Sequence, residues 1–216
     1  MVITLDAEAL ARLFAAAPDN DLPPMPNWNV CPTDRIPVVT SPDGVRRMRS
    51  MRWGLVPHWA KSESQGPPLI NARAETIAEK PAFRDAVRQR RALVPAAGFY
   101  EWTKDADGAR DPWYVSPADG SIMALAAVWQ DWAPPGGDPI PTCAVVTTAA
   151  GPDTAALHPR TPVVIAPDDW PLWLGEAGHG AAPLMRATPA GALRHWRVDR
   201  AVNANRASGA GLIEPV

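Results

Sequence analysis

The chain has 216 residues, 46% of them hydrophobic, and a formal net charge of −2 at pH 7. This length fits one large domain or two small ones, and the apolar fraction is enough to bury a sizeable core. The nearly balanced charge argues against indiscriminate binding to nucleic acid, so any such binding must use a local stripe of charge.

We find neither a membrane span nor a signal peptide in the sequence. It has no run of about 18 apolar residues, so we expect no transmembrane helix. Residues 1–6 lack a basic start and an apolar run, which makes the cytoplasm the default location. Cys31 and Cys143 are too few for a disulfide framework or a zinc site. We therefore expect no metal, no cofactor and no membrane partner, and we expect a monomer.

The predicted elements begin with a short helix. Asp6 is placed to cap it, because an Asp side chain can accept a hydrogen bond from a free backbone N–H of the first turn. Its apolar face would consist of Leu10, Leu13 and Phe14, which are spaced three and four residues apart. Pro18 ends this pattern.

Strands predominate after the first helix. The segments 36–40 and 45–53 flank a turn that contains proline and glycine, which predicts a hairpin. A helix is predicted over 79–91. The segments 113–116 and 122–129 flank a second turn of the same kind, which predicts another hairpin.

The 26 prolines favour short strands and shaped loops over long helices. We see no internal repeat, and strands on both sides of the loop at 133–137 continue the same pattern. We therefore predict one α+β domain over residues 1–216. It would be mainly antiparallel β, as a curved sheet or open barrel, with a few peripheral helices.

Three polar side chains in apolar surroundings are the candidate catalytic residues, namely Asn71, Glu101 and His158. If Glu101 points inward, apolar neighbours would raise its pKa and make it a usable general acid or base. An alternating strand would instead point it outward, and a single histidine in a loop is more often structural than catalytic. We expect the three to meet in one pocket.

Asn71 and Arg73 alternate on an extended segment, so both side chains would face the same way. In a functional site, the amide of Asn71 would orient a reacting group and the guanidinium of Arg73 would bind a phosphate. The alternative is an asparagine at a strand end beside a surface arginine.

The basic residues are clustered, and tryptophans follow one of the clusters. The clusters are Arg46, Arg47, Arg49 and Arg52 on one hairpin arm, and Arg84, Arg88, Arg90 and Arg91 at one helix end. Trp53 and Trp59 come directly after the first cluster. Arginine beside exposed tryptophan suits single-stranded nucleic acid, although a charged face and core tryptophans would give the same pattern.

The cysteines offer a different chemistry. Cys143 lies within a strand and is expected to be a buried, inert thiol, whereas Cys31 lies in a turn and is more accessible. Neither has a spaced partner that defines a nucleophile pair. A thiol hydrolase that combines either cysteine with His158 is an alternative hypothesis.

The motifs, taken together and in order, resemble the SOS-response-associated peptidase (SRAP) family of abasic-site processing proteins. The matching stretches are Asn29–Thr33, Met51–Pro57, Asn71–Thr76, Leu93–Pro95, Gly98–Trp102, His158–Val163 and Val202–Asn203. The likeness covers nearly the whole chain, and several of these motifs are specific.

The resemblance implies that the protein binds single-stranded DNA at an abasic site and crosslinks to it covalently. It implies that Asn71 positions the sugar, that Glu101 acts as acid and base on the ring-opened deoxyribose, and that His158 shuttles a proton. Arg73 and Arg160 would hold phosphates, and the Trp53–Trp59 loop would help to splay the strand. Pro32 and Arg84 are further residues that we expect to contact DNA.

The family's crosslinking residue is absent from this sequence. The family carries Cys-Gly-Arg directly after the initiator methionine, whereas Met1 is followed here by Val2. The match therefore begins about four residues late, roughly 13 Å of extended chain, and we expect Val2 to fall short of the pocket. We expect the true protein to begin upstream; the alternative is a relative that binds single-stranded DNA without crosslinking to it.

Overall fold

The structure is a computed structural model that describes residues 1–19, 21–104 and 106–216. Its strands are β1 (Ala17–Pro18), β2 (Arg35–Thr40), β3 (Arg47–Trp53), β4 (Asn71–Arg73), β5 (Arg91–Ala96), β6 (Phe99–Lys104), β7 (Arg110–Pro117), β8 (Met123–Trp132), β9 (Ile140–Ala149), β10 (Arg160–Pro162) and β11 (Leu193–Arg197). Its α-helices are α1 (Ala7–Phe14), α2 (Arg84–Gln89) and α3 (Trp170–Leu174), and its 3₁₀-helices are Pro167–Asp169, Ala182–Leu184, Arg200–Asn203 and Ala210–Ile213. None of these helices is long and apolar enough to cross a membrane.

Five strands close into a barrel in the order β2, β3, β9, β8 and β5. The closing pair, β3 and β9, is parallel and aligns Trp53 with Cys143. The other four neighbouring pairs of the barrel are antiparallel. Every residue of β8 except Asp131 is buried, which is the pattern of a strand covered on both faces. The main apolar core therefore fills this barrel.

Two short strands extend β9 beyond the barrel. Strand β4 runs parallel to β9 and pairs Arg73 with Thr147. Strand β10 runs antiparallel to β9 and pairs Pro162 with the same Thr147. Because β4 and β10 flank one end of β9, the side chains they carry meet at that end of the barrel.

A second, three-stranded sheet consists of β6, β7 and β11, with β7 in the middle. Its buried face carries Tyr100 and Tyr114, whose ring centroids are 5.5 Å apart, and Trp196 packs edge-on against Tyr114 at 5.2 Å. The hydroxyl of Tyr100 donates to the carbonyl of Trp28 (2.8 Å). These rings form a small apolar core of their own.

Residues 1–3 join the two sheets. The N–H of Val2 donates to the carbonyl of Gly98 (2.9 Å), and the N–H of Ala97 donates to the carbonyl of Val2 (2.9 Å). Val2 packs into the small aromatic core, whereas Ile3 packs into the core of the barrel. This follows from extended backbone, in which successive side chains point to opposite sides.

The predicted fold class is confirmed, since the described chain is mainly antiparallel β with a few short helices. The predicted curved sheet or open barrel is a closed barrel. The first helix is confirmed, with Asp6 accepting a hydrogen bond from the N–H of Ala9 (2.8 Å), and β2 and β3 form the first predicted hairpin. Leu13 was wrongly assigned to the buried face, because it is 45% exposed.

Two predicted elements are wrong. The helix expected over 79–91 covers only α2, because Arg90 leaves helical geometry and the next residue, Arg91, begins strand β5, which pairs with β8. The segments 113–116 and 122–129 do not pair with each other. The turn between them forms, with Gly120 at φ +75°, but it carries the chain from the small sheet into the barrel.

We expect Gly98→Ala to destabilise the fold. A Cβ at this position would overlap the ring of Tyr114, which is 3% exposed and has no room to move. Overpacking of this kind costs about 1–3 kcal/mol. Chemical unfolding would measure the loss. Gly211→Ala is the matched control, since its Cβ would meet nothing within 4 Å; equal stability of the two variants would contradict the expectation.

Candidate functional site

A cavity of about 860 Å³ lies between the end of the barrel and the small sheet. It is lined by Met1, the 29–32 segment, the outer residues of β4, the first four residues of β6, all of β10 and residues near 203. Asn71, Glu101 and His158, the three candidate catalytic residues, all line it.

Glu101 lies on β6 opposite Trp113, with 22% of its side chain exposed. Burial raises the pKa of its carboxyl above the ordinary range, and the opposing influences of His158 and of the N-terminal amine reduce this rise. A raised pKa favours the protonated form of the carboxyl, the form that acts as a general acid.

His158 faces Glu101, with its Nδ1 3.9 Å from Oε1 of the carboxyl. The backbone N–H of Arg160 donates to this Nδ1 (3.2 Å), and in that state the neutral ring carries its proton on Nε2. The carbonyl of Arg160 is 3.1 Å from the same nitrogen and accepts when Nδ1 is protonated. Residue 160 therefore offers His158 a partner in either protonation state, as a proton shuttle requires.

Asn71 and Arg73 are exposed while Ala72 between them is fully buried, so both side chains face the cavity side of β4. This agrees with the alternation expected from the sequence. Arg73 forms no ion pair with any residue in the described ranges. It therefore presents an uncompensated positive charge at the wall of the cavity.

Arg160 also lines the cavity, but its charge is already partnered. Its guanidinium donates two hydrogen bonds to the carboxylate of Glu75, both 2.9 Å, and one to the carbonyl of Thr147 (2.7 Å). Arg160 thereby lowers the pKa of Glu75 to about 2. Arg160 is therefore a structural part of the wall, and its contact with phosphate stays a prediction.

The other predicted DNA-contacting residues divide into two groups. Trp53 and Pro32 line the cavity, and the indole N–H of Trp53 donates to the carbonyl of Ile70 (3.0 Å). Trp59 is 50% exposed and does not line the cavity. Arg84 lies on α2, also outside the cavity.

The predicted basic stripe on the first hairpin is neutralised by acids. Some of these acids come from distant parts of the chain, which is why the local sequence did not reveal them. The ion pairs are Arg46–Glu176 (2.8 Å), Arg47–Asp43 (2.7 Å), Arg49–Asp19 (3.7 Å) and Arg52–Glu63 (3.2 Å). The hairpin is therefore not the free row of cations that its sequence indicates.

Neither cysteine is placed as an activated nucleophile. Cys143 is fully buried, which raises its pKa to about 12. Cys31 lines the cavity, but burial and the nearby Asp34 raise the pKa of its thiol, so the reactive thiolate is disfavoured. Among the described residues, no group of three His, Cys, Asp or Glu side chains is arranged to hold a metal ion.

Met1 reaches the cavity wall, whereas Val2 does not line it. The amine of Met1 donates to the carbonyl of Val30 (3.0 Å), and the carbonyl of Met1 accepts from the N–H of Val30 (2.9 Å). Burial lowers the pKa of this amine to about 5, although the charge of Glu101 opposes the shift. At neutral pH an amine in this position is unprotonated and hence nucleophilic.

Three residues at the cavity were not singled out from the sequence. The indole N–H of Trp102, which is 37% exposed, donates to the side chain of Asn203 (2.7 Å). Arg110, at the start of β7, adds a second cation to the wall. Trp102 and Asn203 lie in stretches that match the family, and this match is the sequence feature that could have identified them. No sequence feature pointed to Arg110.

The fold and the cavity define a β-barrel protein with an acid–imidazole pair at the barrel's end. The family model described as SOS response associated peptidase (SRAP) matches residues 1–205. The chain therefore belongs to the SRAP family.

Named relatives support the same membership. The chain is 31% identical over 192 residues to the abasic site processing protein YoqW of Bacillus subtilis, covering 88% of this chain and 86% of that protein. It is 30% identical over 217 residues to the abasic site processing protein YedK of Escherichia coli, covering 97% and 95%. A crystal structure of a Bacteroides thetaiotaomicron protein has the same fold, with a TM-score of 0.85, 22% identity and coverage of 100% and 99%.

We expect Glu101→Gln to change how stability depends on pH. Because the folded pKa of Glu101 is raised, the folded state keeps a proton that the unfolded state has released, and the wild-type protein loses stability as pH rises through this interval. Glutamine has no such proton. The free energy of unfolding of the variant, relative to wild type, should therefore increase from pH 4 to pH 8.

Urea unfolding at several pH values would measure this difference. Glu79→Gln, an exposed change in the turn before α2, is the control and should show a difference that is constant with pH. A constant or falling difference for Glu101→Gln would contradict the raised pKa.

Proposed function

We propose that this protein processes abasic sites in DNA and that it binds them in single-stranded DNA. The observation that carries the proposal is the pairing of Glu101 with His158 across a cavity that also holds Asn71 and the unpaired Arg73. The names of the relatives point to the same substrate. A cationic wall suits a phosphate beside the sugar, and a partly enclosed acid–imidazole pair suits proton transfer at the sugar itself.

The residues divide the chemistry between them. An abasic deoxyribose opens to an aldehyde, and an amine condenses with this aldehyde to give an imine and water. Glu101, with its raised pKa, supplies the proton that the departing water requires, and His158 relays protons to and from the opened sugar. Asn71 orients the sugar through its amide, while Arg73 binds the adjacent phosphate.

The covalent step needs an amine and a thiol together. An N-terminal cysteine supplies both, since its thiol can add to the imine carbon and close a five-membered thiazolidine ring. The amine of Met1 donates to the carbonyl of Val30. Residues placed before Met1 would therefore continue in the same direction past Val30. We propose that a cysteine placed before Met1 enters the cavity beside Glu101 and forms the link.

Extending the chain by Met-Cys-Gly-Arg before Met1 tests this proposal. With the initiator methionine removed, the extended protein should form a denaturant-resistant adduct with single-stranded DNA that contains one abasic site. Denaturing gel electrophoresis would measure its rate of formation. The matched Met-Ser-Gly-Arg extension keeps the amine but lacks the thiol, so it should give no stable adduct.

Glu101→Gln in the extended chain should slow adduct formation by about 100-fold or more, since general acid–base catalysis contributes at least that much. Glu79→Gln should not change the rate. If the Cys-containing extension yields no adduct, covalent capture is wrong for this protein; equal rates for the two Gln variants would remove Glu101 from the mechanism.

A second candidate function is binding of single-stranded DNA without a covalent step. It is favoured by the free charge of Arg73 together with the exposed indole of Trp102 at the same cavity. In this case the 216-residue chain is sufficient for binding, without any residue added before Met1.

Arg73→Ala should make the affinity for single-stranded DNA less dependent on salt. Loss of one phosphate contact lowers the slope of log K against log salt by about 0.7 for a single strand. Fluorescence anisotropy with a labelled oligonucleotide would measure the slope. Arg84→Ala removes an exposed arginine outside the cavity and is the comparison; an equal effect of both variants would place the DNA elsewhere.

A further inference from the structure

Glu75 stands behind the cavity wall and does not line the cavity itself. It follows β4 by two residues. Its carboxylate accepts two hydrogen bonds from the guanidinium of Arg160 in a side-by-side arrangement, both at 2.9 Å, and a longer one from the hydroxyl of Thr148 (3.4 Å). Paired N–H···O bonds of this kind fix the direction of an arginine more strictly than a single bond.

Arg160 is held at both ends as a result. Its main chain pairs with Ala149 at the end of β9, and its guanidinium is tied to Glu75 and to the carbonyl of Thr147. The ion pair of Arg160 with Glu75 joins the end of β4, which carries Asn71, to β10, which follows His158. It therefore connects the two sides of the cavity.

Arg160 in turn contacts the imidazole of His158 through its main chain, whose N–H and carbonyl both lie near Nδ1. Pro159 between them has a fixed φ and a carbonyl that accepts from the N–H of Ala150 (3.0 Å), so the connection is short and stiff. The charged groups nearest the ring are Glu101 on β6 and Arg160 itself.

We infer that Glu75 is a positioning residue, which holds His158 opposite Glu101 by fixing Arg160. This inference rests on the proposed function, because it assigns Glu75 to the chemistry of that cavity. The ion pair also compensates the charge of Arg160, whereas Arg73 and Arg110 line the cavity without an ion pair among the described residues.

Glu75→Gln should therefore affect the chemical step and not the binding of DNA. The variant keeps the size of the side chain but loses the paired acceptor, so Arg160 and His158 become less well placed. Misplacement of a reacting group by about 1 Å can cost about 100-fold in rate. Removing a negative charge beside Arg160 should leave the affinity for single-stranded DNA unchanged or raise it.

Two measurements test the inference, with Glu79→Gln as the control and thermal unfolding as a check that both variants are folded. The first is the ring-nitrogen NMR chemical shifts of His158 in the free protein, which report on the hydrogen bond at Nδ1 and need no DNA. The second is the rate of adduct formation by the Met-Cys-Gly-Arg-extended chain at saturating abasic DNA, alongside its affinity for intact single-stranded DNA.

We expect Glu75→Gln to shift the His158 ring signals and to slow adduct formation by about 10- to 100-fold, with affinity retained and Glu79→Gln behaving as wild type. Unchanged His158 signals would overturn the inference, and so would a wild-type rate or a loss of affinity. If no variant forms an adduct, the proposed function fails, and the NMR comparison alone decides whether Glu75 positions His158.

Discussion

The cavity depends on the backbone pairing that residues 1–3 make between the barrel and the small sheet. Val2 contributes its side chain to the aromatic core of the small sheet, and Ile3 contributes its side chain to the barrel. The hydrogen bonds of Val2 with Ala97 and Gly98 fix the start of β6, and Glu101 lies three residues further on. A shift of one residue in this pairing would exchange the two cores, so the position of Glu101 is set by the packing of both.

The partly buried carboxyl of Glu101 and the more exposed imidazole of His158 face each other across the cavity. The cavity is enclosed enough to raise the pKa of Glu101 and to lower the pKa of the Met1 amine. Water would stabilise the charged form of each group, and its partial exclusion favours the protonated acid and the neutral amine together. Both pKa shifts follow from where the backbone places the two groups.

Local patterns in the sequence predicted much of this molecule, and long-range contacts account for the rest. The Asp6 cap, the first hairpin and the alternation of Asn71 with Arg73 depend on neighbouring residues, and the structure contains all three. The false hairpin around Gly120 shows the limit of such reasoning. Turn chemistry predicts that the chain reverses, but it does not say which sheet receives the next strand.

Arginines illustrate the same limit at the candidate site. Arg46 pairs with Glu176, 130 positions away, and Arg160 pairs with Glu75, 85 positions away. No local feature distinguishes these residues from Arg73, which has no ion pair within the described ranges. A half-buried arginine costs free energy unless its donors are satisfied, and for Arg160 the fold supplies the carboxylate of Glu75 and the carbonyl of Thr147. Arg73 and Arg110 both line the cavity without an ion pair among the described residues, so their charges are available to a ligand, and only the three-dimensional contacts distinguish them from Arg160.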